Sequence, residues 1–382
     1  MKLALLEQRS LEGLTWKAGK QARLWLAQPR LSVTDTPPYI CQPNGTAATG
    51  FSLLKAILVE EKKHEKPVDA PSFIVLPEFA IRPDEIEDVR VLIRAARRNT
   101  VVIFGVGHIA EAQARTIEPS DLWLGPSYDK STNCAGIGVG GSERLHLQPK
   151  IVPSGPEKDY LWKGKKILYF VGTAVQFTVV ICSELLDQPG GDTTLSQLVR
   201  EVRDRNLTLN LIFWLQHNKD PRSAEFNKSL ASLTAIQPQP TVLVVSSRQS
   251  RPDRLKNYAV SGAIVPHSAL SPRFQDLDAR FRYIEPIADD PSIYPMSRLV
   301  LLRYDADVHF ITTALADDLA TGGKTATNAY FEQSLPFKTQ SGALSLSTAN
   351  FHIEDILSRA LKVANASAPK LPKENVTMDF RV

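Results

Sequence analysis

The chain has 382 residues, 43% apolar and 23% charged, with a formal net charge of +4; this is the composition of a folded globular protein and excludes fibrous and disordered classes. The positive charge lies in short clusters (Lys62-Lys63, Arg97-Arg98, residues 163–166) without interleaved aromatics, a pattern of solvated surface that argues against a nucleic-acid track. Three cysteines with no CxxC and seven histidines with no HxxxH or HExxH spacing argue against a disulfide framework and a metal site.

No apolar run approaches the roughly 18 residues of a membrane helix. Lys2 and a short apolar run before Glu7 make a poor secretory leader. A cytoplasmic protein is the expectation.

In chain order, residues 1–21 are expected to be an N-terminal extension, and residues 24–27 the first strand. Residues 37–45 read as a loop. Leu53, Leu54, Ile57 and Leu58 mark one face of a helix over 51–63. A strand at 73–76 ends in Glu78. Asp84 is expected to cap a helix to residue 98, with Ile86, Val89, Ile93 and Ala96 inward. A strand at 101–106 completes a βαβ rhythm.

Residues 134–139 form a glycine-broken strand that leads through 145–149 to Lys150. Strands at 167–171 and 175–181 are expected to form a hairpin whose second arm delivers Cys182. A helix over 192–205, a strand at 209–215, a helix over 223–236 and a strand at 241–246 follow. The last strands are expected at 261–266, 298–303 and 308–312. Residues 316–382 read as a C-terminal extension: a loop to 335, one amphipathic helix over 351–363, and a tail.

Glu78, Lys150 and Cys182 therefore each stand at the end of an apolar strand. A thiolate is a good nucleophile where a thiol is poor. A carboxylate can take the thiol proton, and an ammonium can stabilise both the thiolate and the anion formed on attack. The backbone N–H of Ser183 is a natural second donor to that anion. Glu184 reads as a polar structural partner in the same turn.

Pro77-Glu78-Phe79, Pro149-Lys150-Ile151-Val152-Pro153 and Val180-Ile181-Cys182-Ser183-Glu184 resemble the three signature segments of the nitrilase, or carbon–nitrogen hydrolase, superfamily. Asn133-Cys134-Ala135 is similar to that family's small-residue strand before the lysine, and residues 261–266 to its late strand. The resemblance covers residues 22–315. It implies an α+β fold, a four-layer α-β-β-α sandwich. It also implies Glu78 as base, Lys150 as oxyanion stabiliser, Cys182 as nucleophile and Glu157 as a second glutamate. His217 and Asn218 fall where family members line the pocket. Gln148-Pro149 departs from the aromatic-basic pair common there.

The implied activity is hydrolysis of a small-molecule amide or nitrile through a thioester, with no cofactor and no metal. The implied assembly is a homodimer or larger homo-oligomer, with the segment after Cys182 at or near the interface. Two other readings fit the same residues. One is a catalytically silent scaffold or sensor in a larger assembly, conceivably in bacterial defence. The other is an acyltransferase.

Overall fold

The computed structural model describes residues 5–346, except 18–19, 35–37, 40, 44–48, 65–68, 115–116, 118–129, 174, 186–193, 218–231, 237–239, 248–260, 267–281, 285–296, 302–305 and 318–325. The elements begin with strands β1 (Leu6–Thr15), β2 (Gln21–Ala27), β3 (Leu31–Val33) and β4 (Cys41–Pro43), helix α1 (Gly50–Glu61), β5 (Ser72–Val75) and helix α2 (Ile86–Arg94). Next come β6 (Thr100–Ile109), the short helix α3 (Glu111–Ala114), β7 (Thr132–Val139), β8 (Leu145–Pro149), β9 (Ile167–Thr173), β10 (Gln176–Ile181) and α4 (Thr194–Asp204). The last are β11 (Leu211–Gln216), β12 (Thr241–Ser246), β13 (Gly262–Pro266), β14 (Arg282–Ile284), β15 (Ser297–Leu301), β16 (Val308–Asp317), β17 (Ala326–Gln340) and β18 (Ala343–Leu346).

Two eight-stranded sheets result. One runs β1-β9-β10-β11-β12-β13-β15-β14 and the other β18-β17-β16-β2-β5-β6-β7-β8. Leu24, Phe73, Val75 and Ile103 of the second sheet share one apolar cluster with Phe177, Val179, Phe213 and Leu243 of the first, so the sheets stack face to face. A second cluster joins α1 and α2 to the other face of the second sheet, and a third joins α4 to the other face of the first. The layers are therefore α-β-β-α, as the sequence predicts.

Each sheet has a parallel centre. β2, β5 and β6 pair in parallel in one, and β10, β11 and β12 in the other. Such strands are covered on both faces, which explains why they read as unbroken apolar runs. Glu78 leaves the centre of one sheet and Cys182 the centre of the other. The expected hairpin of β9 and β10 is present, with Phe170 opposite Phe177.

The structure differs from the sequence reading at several elements. β1 falls within the segment taken as an extension, pairs in parallel with β9, and places Leu11, Leu14 and Trp16 in the inter-sheet core. β17 and the end of β16 occupy much of the segment taken as a loop, paired along their length. β3 and β4 form a small sheet where a loop was expected. Asp84 does not cap α2, which has Glu85 at its N-cap position and no side-chain cap; Asp84 and Glu85 belong to a preceding 3-10 turn (Pro83–Glu85), where the Glu85 carboxylate accepts the Arg82 N–H at 2.9 Å. Of the helix expected over 223–236, only a 3-10 turn at Ser232–Ala235 is described. The helix expected over 351–363 lies outside the described residues.

Candidate active site

Glu78 follows β5 by three residues, in a turn laid directly on β6. Leu76 N–H donates to Ile103 O at 2.8 Å and Gly105 N–H to Pro77 O at 3.2 Å. Contact this close requires glycine on β6. A Cβ at Gly105 would stand 2.4 Å from Glu78 Cα and 2.6 Å from Pro77 O. Phe79, next in the turn, has a left-handed φ of 62°.

Lys150 follows β8, held by its N–H to Asn133 O at 2.7 Å and by Gly164 N–H to its carbonyl at 2.9 Å. Gly164 is again a close approach, since a Cβ there would lie 2.2 Å from Pro149 O. Lys150 is 1% exposed, as are Glu78 and Glu157. The Lys150 Nζ donates to Glu78 Oε1 and to Glu157 Oε2, both at 2.8 Å. Burial alone would push the ammonium down; Glu78, Cys182 and Glu157 overcome it and hold the group well above its ordinary range.

Glu157 caps a 3-10 turn, accepting Ser154 N–H at 2.7 Å, and its Oε1 meets His108 Nε2 at 3.1 Å. Burial raises its carboxyl, but His108, Lys150 and the Ser154 N–H together hold it well below the usual carboxylate range. Asn133 Nδ2 donates to Glu78 Oε1 at 2.8 Å, and the His217 N–H to Glu78 Oε2 at 3.2 Å. Both oxygens of Glu78 are thus engaged and its direction is fixed.

Cys182 opens the 3-10 turn after β10, with φ 44°, a strained value for a residue with a Cβ. Trp214 Nε1 donates to its carbonyl at 2.9 Å, and Glu184 Oε2 accepts the preceding Ile181 N–H at 2.7 Å. Glu184 Oε1 accepts Ile151 N–H at 2.6 Å. One fully buried carboxyl therefore fastens the Cys182 turn to the Lys150 turn. Burial pushes that carboxyl up to about 7.

The Cys182 thiol lies within electrostatic reach of Glu78, Lys150 and Glu157. Burial, then Glu78, raise it far above an ordinary thiol, with Lys150 pulling the other way. Burial and the neighbouring carboxylates outweigh the one ammonium, which favours the thiol over the thiolate.

The four residues singled out for catalysis, Glu78, Lys150, Glu157 and Cys182, are thus brought together. His217 joins through its backbone, while its Nδ1 bonds to Ser247 Oγ. The Ser183 hydroxyl bonds to Val152 O and serves the turn. Asn218 lies outside the described residues. Sequence reasoning missed Asn133, His108 and Tyr39. It also missed Gln148 as a bridge between the sheets: from β8 its amide accepts Leu168 N–H at 2.8 Å and donates to Val179 O at 2.9 Å. Tyr39 stands beside the cluster, its ring 5.2 Å from that of His108 and 6.0 Å from Phe79. Among the described residues no group of three or more His, Cys, Asp or Glu is placed to hold a metal ion, and no helix is long and apolar enough to cross a membrane.

No family model and no curated protein matches the sequence. Among solved structures, the chain is similar to a glutamine-dependent NAD+ synthetase from Acinetobacter baumannii, at 15% identity and TM-score 0.44, over 84% of this chain and 49% of that one. It therefore spans about half of that protein. An amidase from Nesterenkonia sp. is similar at 10% identity and TM-score 0.40, over 77% of this chain and 94% of that one. Saccharomyces cerevisiae Nit3, a member of branch 10 of the nitrilase superfamily, is similar at 16% identity and TM-score 0.40, over 64% and 83%.

Proposed function

We propose that this chain is a carbon–nitrogen hydrolase that cleaves a small amide or nitrile through a thioester on Cys182. The observation that carries the reading is the buried Lys150 ammonium, which donates to Glu78 Oε1 and Glu157 Oε2 at 2.8 Å, with the Cys182 thiol close enough to interact with all three charges. A candidate base, nucleophile and cation thus share one buried site, the arrangement that proton transfer and charge stabilisation call for.

For an amide, sulfur attacks the carbonyl carbon as its proton passes to Glu78. The oxygen takes the negative charge beside Lys150 Nζ. As the tetrahedral species collapses, Glu78 gives its proton to the departing nitrogen, and ammonia or an amine leaves. Water then attacks the thioester carbon while Glu78 takes a proton from it. The carbon–sulfur bond breaks and Glu78 returns that proton to sulfur. Glu157 keeps Lys150 directed throughout. A high resting thiol value suits this order, because the thiolate forms only as the substrate is attacked.

Intact-mass measurement after incubation with a panel of amides and nitriles tests the reading. It expects an acyl adduct on Cys182 and none on Cys182→Ala. If no adduct forms and the folded Cys182→Ala protein keeps its biological activity, the chain is a scaffold rather than an enzyme.

A further inference from the structure

β6 carries an irregularity that the proposed chemistry has not used. Its register with β7 shifts between Val106, opposite Cys134, and Ile109, opposite Thr132, so three steps on one strand face two on the other. That extra residue is a β-bulge, which re-aims a side chain. The residues within it are Gly107 and His108. The His108 side chain is fully buried and reaches Glu157.

Its two ring nitrogens have different partners. Nδ1 accepts the backbone N–H of Tyr39 at 3.0 Å. A nitrogen that accepts carries no proton, so the ring proton stands on Nε2, 3.1 Å from Glu157 Oε1. Glu157 Oε2 is meanwhile taken by Lys150 Nζ and Ser154 N–H. Both oxygens of the carboxylate are thereby engaged, and its orientation is fixed from the side away from Lys150.

We propose that His108 is a positioning residue of this site: its Nε2–H, in a tautomer set by the Tyr39 N–H, locks Glu157 so that Glu157 in turn directs Lys150 at the developing oxyanion. This rests on the hydrolase reading. His108 itself touches neither substrate nor the reacting atoms.

Side-chain shape supplies the test. A glutamine amide reaches the place of Nε2 and donates to Glu157. An asparagine amide reaches only the place of Nδ1, so it keeps the Tyr39 contact and leaves Glu157 unserved. p-Nitrophenyl acetate is the probe. Cys182 sulfur displaces p-nitrophenolate, giving an acetyl thioester that water hydrolyses to acetate. His108→Gln should acetylate within about threefold of the unaltered chain. His108→Asn, and His108→Ala, should be slower by about 10²-fold at saturating probe, the usual scale for a misplaced group, with little change in the half-saturating concentration. In a Glu157→Gln background, His108→Ala should cost nothing further, because the two act as one unit.

Acetylation of the Asn or Ala variant at the unaltered rate, a Gln variant as slow as Ala, or full additivity with Glu157→Gln would each overturn the proposal. The 15N spectrum of ring-labelled histidine, assigned by the signal lost in His108→Gln, decides the tautomer without any turnover. A protonated Nδ1 overturns the proposal, and a protonated Nε2 supports it. If the probe never acetylates the unaltered chain, the hydrolase reading fails while the spectrum still decides the His108–Glu157 lock.

Discussion

Replacing Gly105 by alanine puts the proposed base out of place without altering any polar side chain. The new Cβ would stand 2.4 Å from Glu78 Cα and 2.9 Å from Glu78 N, both backbone atoms with no rotamer to yield. Carbon atoms settle at about 3.5–4.0 Å, so the Glu78 turn must retreat by about 1 Å. The 2.8 Å contacts from Glu78 Oε1 to Lys150 and Asn133 then stretch beyond hydrogen-bond range. Overpacking of this kind costs about 1–3 kcal/mol of stability, and a misplacement of about 1 Å can cost about 10² in rate. Gly107 on the same strand is the control. A Cβ there meets nothing nearer than Pro83 Cδ at 3.7 Å, an ordinary contact. Denaturant unfolding and the rate of Cys182 adduct formation, followed by intact mass, report the two effects separately. If Gly105→Ala unfolds and reacts as Gly107→Ala does, the argument that this glycine seats the carboxylate is wrong.

Three further outcomes are expected. Lys150→Ala leaves Glu78 and Glu157 buried without their cation, so it should lose about 3–5 kcal/mol of stability in denaturant unfolding and about 10²–10³ in acylation rate; a variant as stable as the unaltered chain would contradict the buried cluster. Glu78→Gln removes the nearer carboxylate from Cys182, so thiolate ultraviolet absorbance should appear at lower pH than in the unaltered chain while turnover stops; an unmoved titration would show that Glu78 does not raise the thiol. Glu184, raised from 4.5 to about 7, keeps its proton in the folded chain where the unfolded chain has lost it. Its contribution should therefore fall as pH rises from about 4.5 to 7, by on the order of 3 kcal/mol, and denaturant midpoints should slope down across that window less steeply in Glu184→Gln.

The three strand-end residues were legible because a carboxylate, an ammonium and a thiol, in that order, each follow a strand-like stretch. Glu157 and the layered sandwich were legible only through the resemblance to the nitrilase superfamily. Asn133, His108 and Gln148 were not. Each is a polar side chain inside a strand, where its neighbours dominate the pattern, and each finds its partner on a segment distant in sequence. His108 depends further on a register shift, which exists only once two strands are paired. β1 escaped because Glu7, Gln8, Arg9 and Ser10 separate its apolar residues, and its cause is pairing with β9, about 160 residues away. β17 escaped for a similar reason, since hairpin pairing with β16 rather than apolar content makes it a strand.

Glu78 and Lys150 belong to one sheet and Cys182 to the other, so the proposed reaction spans the seam of the sandwich. The gap that sulfur and its base must close is therefore a thickness, gauged by side chains nowhere near it. Phe73 of one sheet meets Phe177 of the other edge-on at 5.6 Å and Phe213 at 5.1 Å. Gln148 pins the lateral alignment, standing in one sheet and completing the ladder between β9 and β10 in the other. Calibration of the thiol against its carboxylate is thus distributed through the greasiest part of the molecule. In this architecture, thinning an aromatic spacer or letting the sheets slide amounts to a change in chemistry, with every polar group still in place.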